Sequence, residues 1–396
     1  MVDFSKVRIG DIGSVITGRT PKTDISDNYG GDFMFLGPSD LHKHFIITSS
    51  EKTITGQGLK SIESATIDGL SICTGCIGWD MGNVALVRGK CATNQQVNSI
   101  TNIKGDYNPY FIYYWLKGKK DFLFQQANVT RTPILNKTDF SNIEIRVPSK
   151  SRQDSIAGFL KTIDKKIELN NKINAELETM AKLIYDYWFV QFDFPDADGK
   201  PYKSSGGKMI YNETLKREIP EGWGVALFGK YNTVKKGQLI TKATVDVGEV
   251  KVVAAGIDYS YLHASSNYNK NTITISGSGA SAGFVNFWRE AIFASDCITV
   301  RGSDDANTIL ALQYLKLIQG YIFKQARGSA QPHVYPDDIS KLNYLVPHKQ
   351  LVEKYGNRVI PANDKIATNL KENERLAELR DWLLPMLMNG QVTVNS

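Results

Sequence analysis

A long stretch with a seven-residue apolar repeat most constrains how this chain of 396 residues folds. Residues 153–189 contain no proline, and their apolar positions recur at alternating spacings of four and three. A repeat sustained for about four heptads is typical of a coiled coil, so we expect one helix about 55 Å long. Asn170 and Asn174 interrupt the apolar seam, and polar seam residues fix register or partner at a cost in stability.

Residues 350–388 carry a second copy of this seam. Both copies read I-x-x-N-x-x-x-N-x-x-L, and Ile366 follows Ile167 by 199 residues, as Asn369 follows Asn170. So many matches at one separation indicate an internal repeat rather than two unrelated helices. Pro361 should kink the second helix or delay its regular part. The predicted seam residues are Ile163, Ile167, Asn170, Asn174 and Leu177 in the first helix, and Ala362, Ile366, Asn369, Asn373 and Leu376 in the second.

The repeat also extends to the segments before the helices. Pro133 and Pro332 match at the same separation, as do Asp139 and Asp338, whereas the stretches between such matches have diverged. Short β-branched runs broken by glycines predict mixed β structure in both copies, and residues 109–126 predict one amphipathic helix. We therefore expect five segments: a mixed unit, a long helix, an irregular connector, a second mixed unit, and a second long helix with the tail. Their expected bounds are 1–149, 150–190, 191–224, 225–347 and 348–396.

Composition limits the classes of protein to which the chain belongs. Charged residues make up 22% and hydrophobic residues 42%, as in ordinary globular proteins, and no apolar run is long enough to span a membrane. Four cysteines in so long a chain do not make a disulfide framework, which favours a reducing cytoplasm. The net charge of +6 suits a nucleic-acid partner without proving one.

Motifs of catalysis are mostly absent. The run Asn108-Pro109-Tyr110-Phe111 resembles the Asn-Pro-Pro-aromatic motif of amino-group DNA methyltransferases, but its second proline is missing, and we interpret it as a turn that opens a helix. The glycines between Ser276 and Gly283 favour a tight β-turn, and no phosphate-binding loop is present. Cys73 and Cys76 are expected to be buried and reduced. We therefore predict no catalytic residue and no metal site.

Three motifs resemble the specificity subunit of type I restriction–modification enzymes. They are the opening I-G-D-I…G-R-T-P (residues 9–21), the pattern R-T-P-I-L…D-F…I…V-P (131–148), and the connector Y-D-Y-W-F-V-Q-F-D-F-P…L-K-R-E-I-P-E-G-W (185–223). The connector is the most specific of them. The resemblance covers nearly the whole chain.

This resemblance implies an α+β fold with two mixed α/β target-recognition domains, related by the repeat and separated by two long antiparallel helices that form a coiled coil. Each domain would read one half of a bipartite, asymmetric site in double-stranded DNA. The helices would set the spacer and dock two modification (methyltransferase) subunits, and restriction subunits would join the complex. The chain itself would bind no cofactor, since S-adenosylmethionine, ATP and Mg would be used by the partner subunits.

Exposed basic and amide side chains in loops are the candidates for DNA contact, since arginine and lysine hold phosphates while polar side chains read base edges. Two alternatives stay open at this point: a stand-alone DNA adenine methyltransferase built around Asn108, and a coiled-coil protein adaptor without DNA contact. The candidates are Arg19, Thr20, Lys22, Thr23, Asn128, Thr130 and Arg131 in the first unit, and Lys235, Lys236, Gln238, Lys242, Arg327, Ser329 and Gln331 in the second.

Overall fold

Two compact units make up the chain in the computed structural model, which describes residues 4–42, 45–129, 131–326 and 332–394. Unit 1 combines Met1–Asn170 with Glu372–Ser396, and unit 2 is Asn171–Lys371. The division falls within the two long helices, α6 (Lys150–Tyr185) and α11 (Lys349–Met388), so each unit contains a segment of both.

Unit 1 is built on short strands and short helices. Its helices besides the long ones are α1 (Ile9–Ile12), α2 (Gly56–Ser61), α3 (Pro109–Lys117), α4 (Lys120–Gln125) and α5 (Lys137–Asn142). Its strands are β1 (Ser5–Arg8), β2 (Ser14–Thr17), β3 (Tyr29–Leu36), β4 (Ile46–Ile47), β5 (Lys52–Ile54), β6 (Thr66–Ile67), β7 (Leu70–Gly75), β8 (Val84–Arg88), β9 (Cys91–Thr93), β10 (Val97–Thr101), β11 (Asn128–Val129), β12 (Pro133–Ile134) and β13 (Glu144–Val147).

Two sheets form the body of unit 1. The first has the order β2-β10-β7-β8-β4, and the second has the order β5-β3-β9-β6. Strands β7, β8 and β10 are rich in β-branched residues and almost fully buried, as expected of central strands. Helix α3 buries Phe111, Tyr113 and Tyr114 in the same core, to which α6 adds Ile156 and Leu160. This core fixes the first sheet against the long helices of unit 1.

Unit 2 repeats this plan with fewer elements. Its helices besides the long ones are α7 (Phe228–Tyr231), α8 (Asp305–Leu317), α9 (Gln319–Gln325) and α10 (Pro336–Ser340). Its strands are β14 (Met209–Asn212), β15 (Arg217–Pro220), β16 (Gly224–Leu227), β17 (Thr233–Lys236), β18 (Val250–Val253), β19 (Tyr259–His263), β20 (Thr272–Ser276), β21 (Val285–Trp288), β22 (Phe293–Ala294), β23 (Cys297–Arg301) and β24 (Asn343–Val346).

The sheets of unit 2 follow the topology of unit 1. The order β17-β23-β20-β21 corresponds to β2-β10-β7-β8, and β19-β18-β22 corresponds to β5-β3-β9. Even the exceptions agree, since β3 runs parallel to β9 and β18 runs parallel to β22 in otherwise antiparallel sheets. The terminal pairs β1–β13 and β16–β24 also match. The two copies therefore share one architecture, including the stretches whose sequences have diverged.

The long helices run antiparallel. In unit 1, Asp164 of α6 contacts Arg380 of α11, and Asn170 contacts Asn373. Higher residue numbers in α6 therefore lie beside lower residue numbers in α11. The predicted fold class is thereby confirmed: an α+β chain with two repeated mixed units and a pair of long antiparallel helices. Helix α11 passes through Pro361 from its start at Lys349, so the proline does not delay the helix.

Two local predictions are wrong. Residues 109–126 form two helices rather than one. Helix α3 ends at Lys117 with Gly118 as its C-cap, and Gly118 packs against Leu384 of α11. The connector is not wholly irregular, since β14 and β15 form a hairpin within it. Among the described residues, no helix has the length and apolar character needed to cross a membrane.

Candidate nucleic-acid interface

One edge of the first sheet gathers several loops of unit 1. Because β2, β10, β7 and β8 pair antiparallel, β2 and β7 end there while β10 and β8 begin there. The loops at this edge are residues 18–23, 76–83 and 94–96, and the segment 126–135 lies beside them. These four segments, without Thr130, which lies outside the described residues, are called loop edge 1.

Hydrogen bonds tie the four segments of loop edge 1 together. The Gly18 amide donates to the Val97 carbonyl at 3.0 Å, and the Thr20 hydroxyl donates to the Gln95 side chain at 2.8 Å. Backbone hydrogen bonds also join the turn 76–83 to its neighbours. The Cys76 amide donates to the Gln96 carbonyl at 2.7 Å, and the Gly78 amide donates to the Pro133 carbonyl at 3.0 Å. The Leu135 amide donates to the Cys76 carbonyl at 2.9 Å. The loops are therefore preorganised by the sheet rather than loosely attached to it.

The described candidates of the first unit come together at this edge. Most of them are exposed, and Thr20 is half-buried. Asn128 donates its amide to Asp139 at 3.3 Å, which leaves its side-chain oxygen directed elsewhere. The exposed candidates are Arg19, Lys22, Thr23, Asn128 and Arg131. Three basic side chains and several hydrogen-bonding groups thus share one surface, as contact with phosphates and base edges requires.

Unit 2 has an edge of the same construction. Strands β17 and β20 end there, and β23 and β21 begin there. Its loops are residues 237–241, 277–284 and 294–296, with 326 and 332–335 from the following segment, and they are called loop edge 2. The bonds that hold it are those from the Gly237 amide to the Cys297 carbonyl (2.8 Å), from the Gly279 amide to the Pro332 carbonyl (3.1 Å), and from the Val334 amide to the Gly277 carbonyl (3.0 Å).

The candidates of the second unit are only partly gathered. Gln238 is exposed on loop edge 2, and Lys242 is exposed at the start of a 3-10 turn just beyond it. Lys235 and Lys236 are exposed but lie in β17, so their expected position in a loop is wrong: β17 pairs with β23 through both residues. The candidates Arg327, Ser329 and Gln331 lie outside the described residues.

The turns 75–83 and 276–284 share several corresponding backbone hydrogen bonds. Gly82 donates to Gly75 as Gly283 donates to Ser276, each at 2.8 Å. Gly78 and Gly279 both have positive φ, as do Gly82 and Gly283, which is the backbone conformation that glycine adopts readily. The prediction of a tight turn between Ser276 and Gly283 is confirmed. The two turns therefore have the same backbone frame of hydrogen bonds and positive-φ glycines, and they carry different side chains.

Polar contacts join the long helices within unit 1. The Asn170 amide donates to Glu372 at 2.8 Å and to Asn373 at 2.9 Å. Arg380 forms an ion pair with Asp164, which also accepts a hydrogen bond from Tyr114 of α3. Burial alone would lower the pKa of Arg380, but its hydrogen bond to Asp381 and the charge of Asp164 outweigh burial and raise it.

Unit 2 holds its helix segments with a different set of side chains. The Asn369 amide donates to Asn174 at 2.8 Å. Arg289, from the loop after β21, donates to Asn363 of α11 and to Glu178 of α6, each at 2.7 Å.

The predicted seam positions are buried at Ile163, Asn170, Asn174, Ala362, Ile366 and Asn369, and half-buried at Ile167, Leu177, Asn373 and Leu376.

Comparison with known families decides what this architecture is. The profile described as "Type I restriction modification DNA specificity domain" matches residues 1–179 and again 220–376, which together exceed half of the chain. The chain belongs to this family. Its two matched copies make it a specificity subunit of a type I restriction–modification system, with one copy around each loop edge.

Similar proteins include two specificity subunits of type I restriction enzymes. The chain is 28% identical to the MjaIX specificity subunit of Methanocaldococcus jannaschii, over 99% of this chain and 94% of that one. It is 21% identical to the HindI specificity subunit of Haemophilus influenzae, over 99% and 100%. The crystal structure of the S subunit from M. genitalium shares the fold, with a TM-score of 0.59 and 18% identity over 98% of this chain and 96% of that one.

The residues that resemble catalytic motifs have structural roles in this specificity subunit. Asn108 caps α3, since its side chain accepts hydrogen bonds from the Tyr110 and Phe111 amides and donates to Asp154. The prediction of a helix-opening turn is confirmed, and nothing in the family match favours the methyltransferase or the adaptor alternative. Cys73 and Cys76 are buried free thiols, as predicted. No cluster of three metal-ligating side chains occurs in the described parts of the chain.

Two residues of loop edge 1 were missed by the sequence reasoning. Gln95 supports Thr20, and Trp79 is exposed at the tip of the turn 76–83. The polar run 94–96 just before a buried strand was the available signal for Gln95. For Trp79 the signal was a large aromatic residue directly after a turn glycine, in a segment without apolar periodicity.

Proposed function

We propose that this specificity subunit reads a bipartite, asymmetric site in double-stranded DNA, with loop edge 1 on one half and loop edge 2 on the other. The observation that carries this proposal is the shared backbone frame of the turns 75–83 and 276–284, which present different side chains. A shared frame supports one type of ligand for both edges, and different side chains support different base sequences. Basic side chains on loop edge 1, among them Arg131, and Lys242 just beyond loop edge 2 suit the phosphate backbone.

The long helices fit two roles in such a complex. A helix keeps a fixed rise of about 1.5 Å per residue, so a helix pair converts its length into a spacing between half-sites. The pair would also dock two modification (methyltransferase) subunits, and restriction subunits would complete the enzyme in the cytoplasm. Exposed apolar side chains on the helices support docking, since such groups mark protein interfaces. They include Leu169, Leu183, Leu379 and Trp382.

The chemistry of the complex would reside in the partners. S-adenosylmethionine would serve the modification subunits, and ATP with Mg would serve the restriction subunits. The role of the present chain is then to position DNA and partners, without binding a cofactor or reacting itself. Its four buried thiols and its helix-capping Asn108 are consistent with this division of labour.

Exchange of one recognition unit tests the proposal. Residues 1–145 are replaced by the corresponding part of another specificity subunit, and methylated adenines are mapped in cells that also express the modification subunit. We expect one half of the methylated site to change while the other half persists. A methylated site that is unchanged, or changed in both halves, would contradict the assignment of one half-site to each unit.

Docking is tested by placing a charge on an exposed apolar position of a long helix. Leu183→Glu should reduce co-purification of the modification subunit, because it places a carboxylate on an apolar face of α6. Leu262→Glu, at a leucine of β19 with similar chemistry and 43% exposure, should leave co-purification unchanged. Equal retention of the partner by both variants would remove this face of α6 from the docking surface.

A further inference from the structure

The two exposed tryptophans of the chain have different surroundings. Trp115, Trp188, Trp223 and Trp288 are at most 8% exposed, whereas Trp79 is 71% and Trp382 is 65% exposed. Trp382 lies on α11 near Leu379, on a helical surface suited to a protein partner. Trp79 lies on loop edge 1, among the side chains suited to DNA. An exposed indole forgoes the free energy of burial, which points to a partner that covers it.

The fold of the turn does not require this indole. The corresponding turn of unit 2 has the same hydrogen bonds and the same positive-φ glycines, but it carries Ala280 where unit 1 carries Trp79. The backbone is therefore compatible with alanine at this position. Among the described residues, the ring contact of this indole is with Phe124, at a centroid separation of 6.2 Å.

The turn that carries Trp79 is held firmly on both sides. Gly78 donates to Pro133, and Asp80, the residue after Trp79, forms an ion pair with Lys120 at 2.6 Å and lies 3.2 Å from His42 Nε2. The hydrogen bond from Lys120 lowers the pKa of Asp80, so the carboxylate stays ionised and paired. The carboxylate next to Trp79 is thus paired with a cation, and the backbone of this turn has little conformational entropy left to lose when Trp79 meets a ligand.

We infer that Trp79 contacts the bases of the half-site read by unit 1, through an apolar or stacking contact of its indole. This inference rests on the proposed function. An aromatic ring at a duplex interface gains from contact with the thymine methyl group or from insertion between base steps, and neither requires a hydrogen bond. The contact is one-sided, because Ala280 offers no equivalent in unit 2. Trp79 is therefore a specificity-determining residue of the first half-site alone.

The test measures DNA binding by the full-length chain purified with its modification subunit. The cognate site is taken from the methylated adenines of cells that express both. Three fluorescent duplexes are compared: the cognate site, the site with its first half scrambled, and the site with its second half scrambled. Trp79→Ala should weaken binding to the cognate duplex about tenfold. It should weaken the duplex with the scrambled second half equally, and leave the duplex with the scrambled first half unaffected.

Two further variants complete the design. Tyr211→Ala removes an exposed aromatic ring from β14, outside both loop edges and both long helices, and should leave DNA affinity unchanged. Trp79→Phe retains an aromatic ring and should lose less affinity than Trp79→Ala; circular dichroism and thermal unfolding verify that every variant is folded. Wild-type affinity in Trp79→Ala, or an equal loss on all three duplexes, overturns the inference while the proposed function stands. A wild-type complex that does not prefer the cognate duplex overturns both.

Discussion

Asn369 of α11 donates its side-chain amide to the side-chain oxygen of Asn174 of α6, at 2.8 Å, and both residues are buried. The bond pairs the first seam asparagine of one helix with the second of the other. The Asn170–Asn373 bond makes the same combination with the helices exchanged. Polar seam pairs of this kind penalise any other register, because a shifted helix would bury the amides against leucine or isoleucine.

Removal of the Asn174–Asn369 pair should stabilise the chain. The Asn174 amide nitrogen and the Asn369 oxygen are buried and have no hydrogen-bond partner among the described residues. Each such group costs about 1–3 kcal/mol, so Asn174→Leu with Asn369→Leu should raise the free energy of unfolding by about that amount, measured by urea denaturation. Asn369→Leu alone leaves Asn174 unpaired and should be less stable than the double variant. A double variant no more stable than the single one would contradict this account.

The Asp164–Arg380 ion pair of unit 1 should be sensitive to loss of one partner. Arg380→Ala leaves a carboxylate whose side chain is 4% exposed without its cation, which costs about 3 kcal/mol. Asp164→Asn in the same background should recover part of that loss, since it removes the buried charge. Lys166→Ala breaks a pair with Glu372 that is 45% and 43% exposed, and it should cost less than about 1 kcal/mol. Equal losses for the two pairs would argue against the burial effect.

The repeated helices could be predicted from sequence because a heptad pattern is local and recurs many times. The shared topology of the stretches whose sequences have diverged could not be predicted. For example, β3 pairs with β9 through backbone groups, which leave no pattern in the side chains. At the break of the predicted helix, a Cβ on Gly118 would lie 3.1 Å from Leu384, a close approach between residues far apart in the chain. Lys235 and Lys236 were predicted to lie in a loop because they are charged. Charged residues also occur in edge strands such as β17, so their charge did not distinguish the two positions.

Two glycines at the loop edges should tolerate no side chain. A Cβ on Gly18 would lie 2.1 Å from the Asn94 carbonyl oxygen, and one on Gly237 would lie 2.1 Å from the Ser295 carbonyl oxygen. Gly18→Ala and Gly237→Ala should each lower stability by about 1–3 kcal/mol in thermal unfolding, because the backbone must move. Gly105→Ala, where nothing lies within 4 Å, should be neutral. Neutrality at Gly18 would mean that loop edge 1 is less rigid than its hydrogen bonds indicate.

The four cysteines should be unreactive in the folded chain. Burial disfavours the thiolate and raises the pKa of Cys73 to about 11 and the pKa of Cys76 and Cys297 to about 12; it also raises the pKa of Cys91. At pH 8 a disulfide reagent should therefore find no fast-reacting thiol until urea is added, when all four react. Ser205→Cys, at an exposed position, supplies the positive control. A native thiol that reacts within minutes would contradict the burial of that residue.

The length of the helix pair should set the spacing of the methylated site. Four residues, about one helical turn and about 6 Å, are inserted after Asn170 in α6, and a matching four are inserted before Asn373 in α11. We expect both half-sites to persist while the spacer between them grows by about two base pairs, since a base pair rises about 3.4 Å. The readout is the map of methylated adenines, and four residues inserted in the connector after Gly206, outside both helices, are the control. A change in half-site sequence with an unaltered spacer would contradict the role of the helices as a ruler.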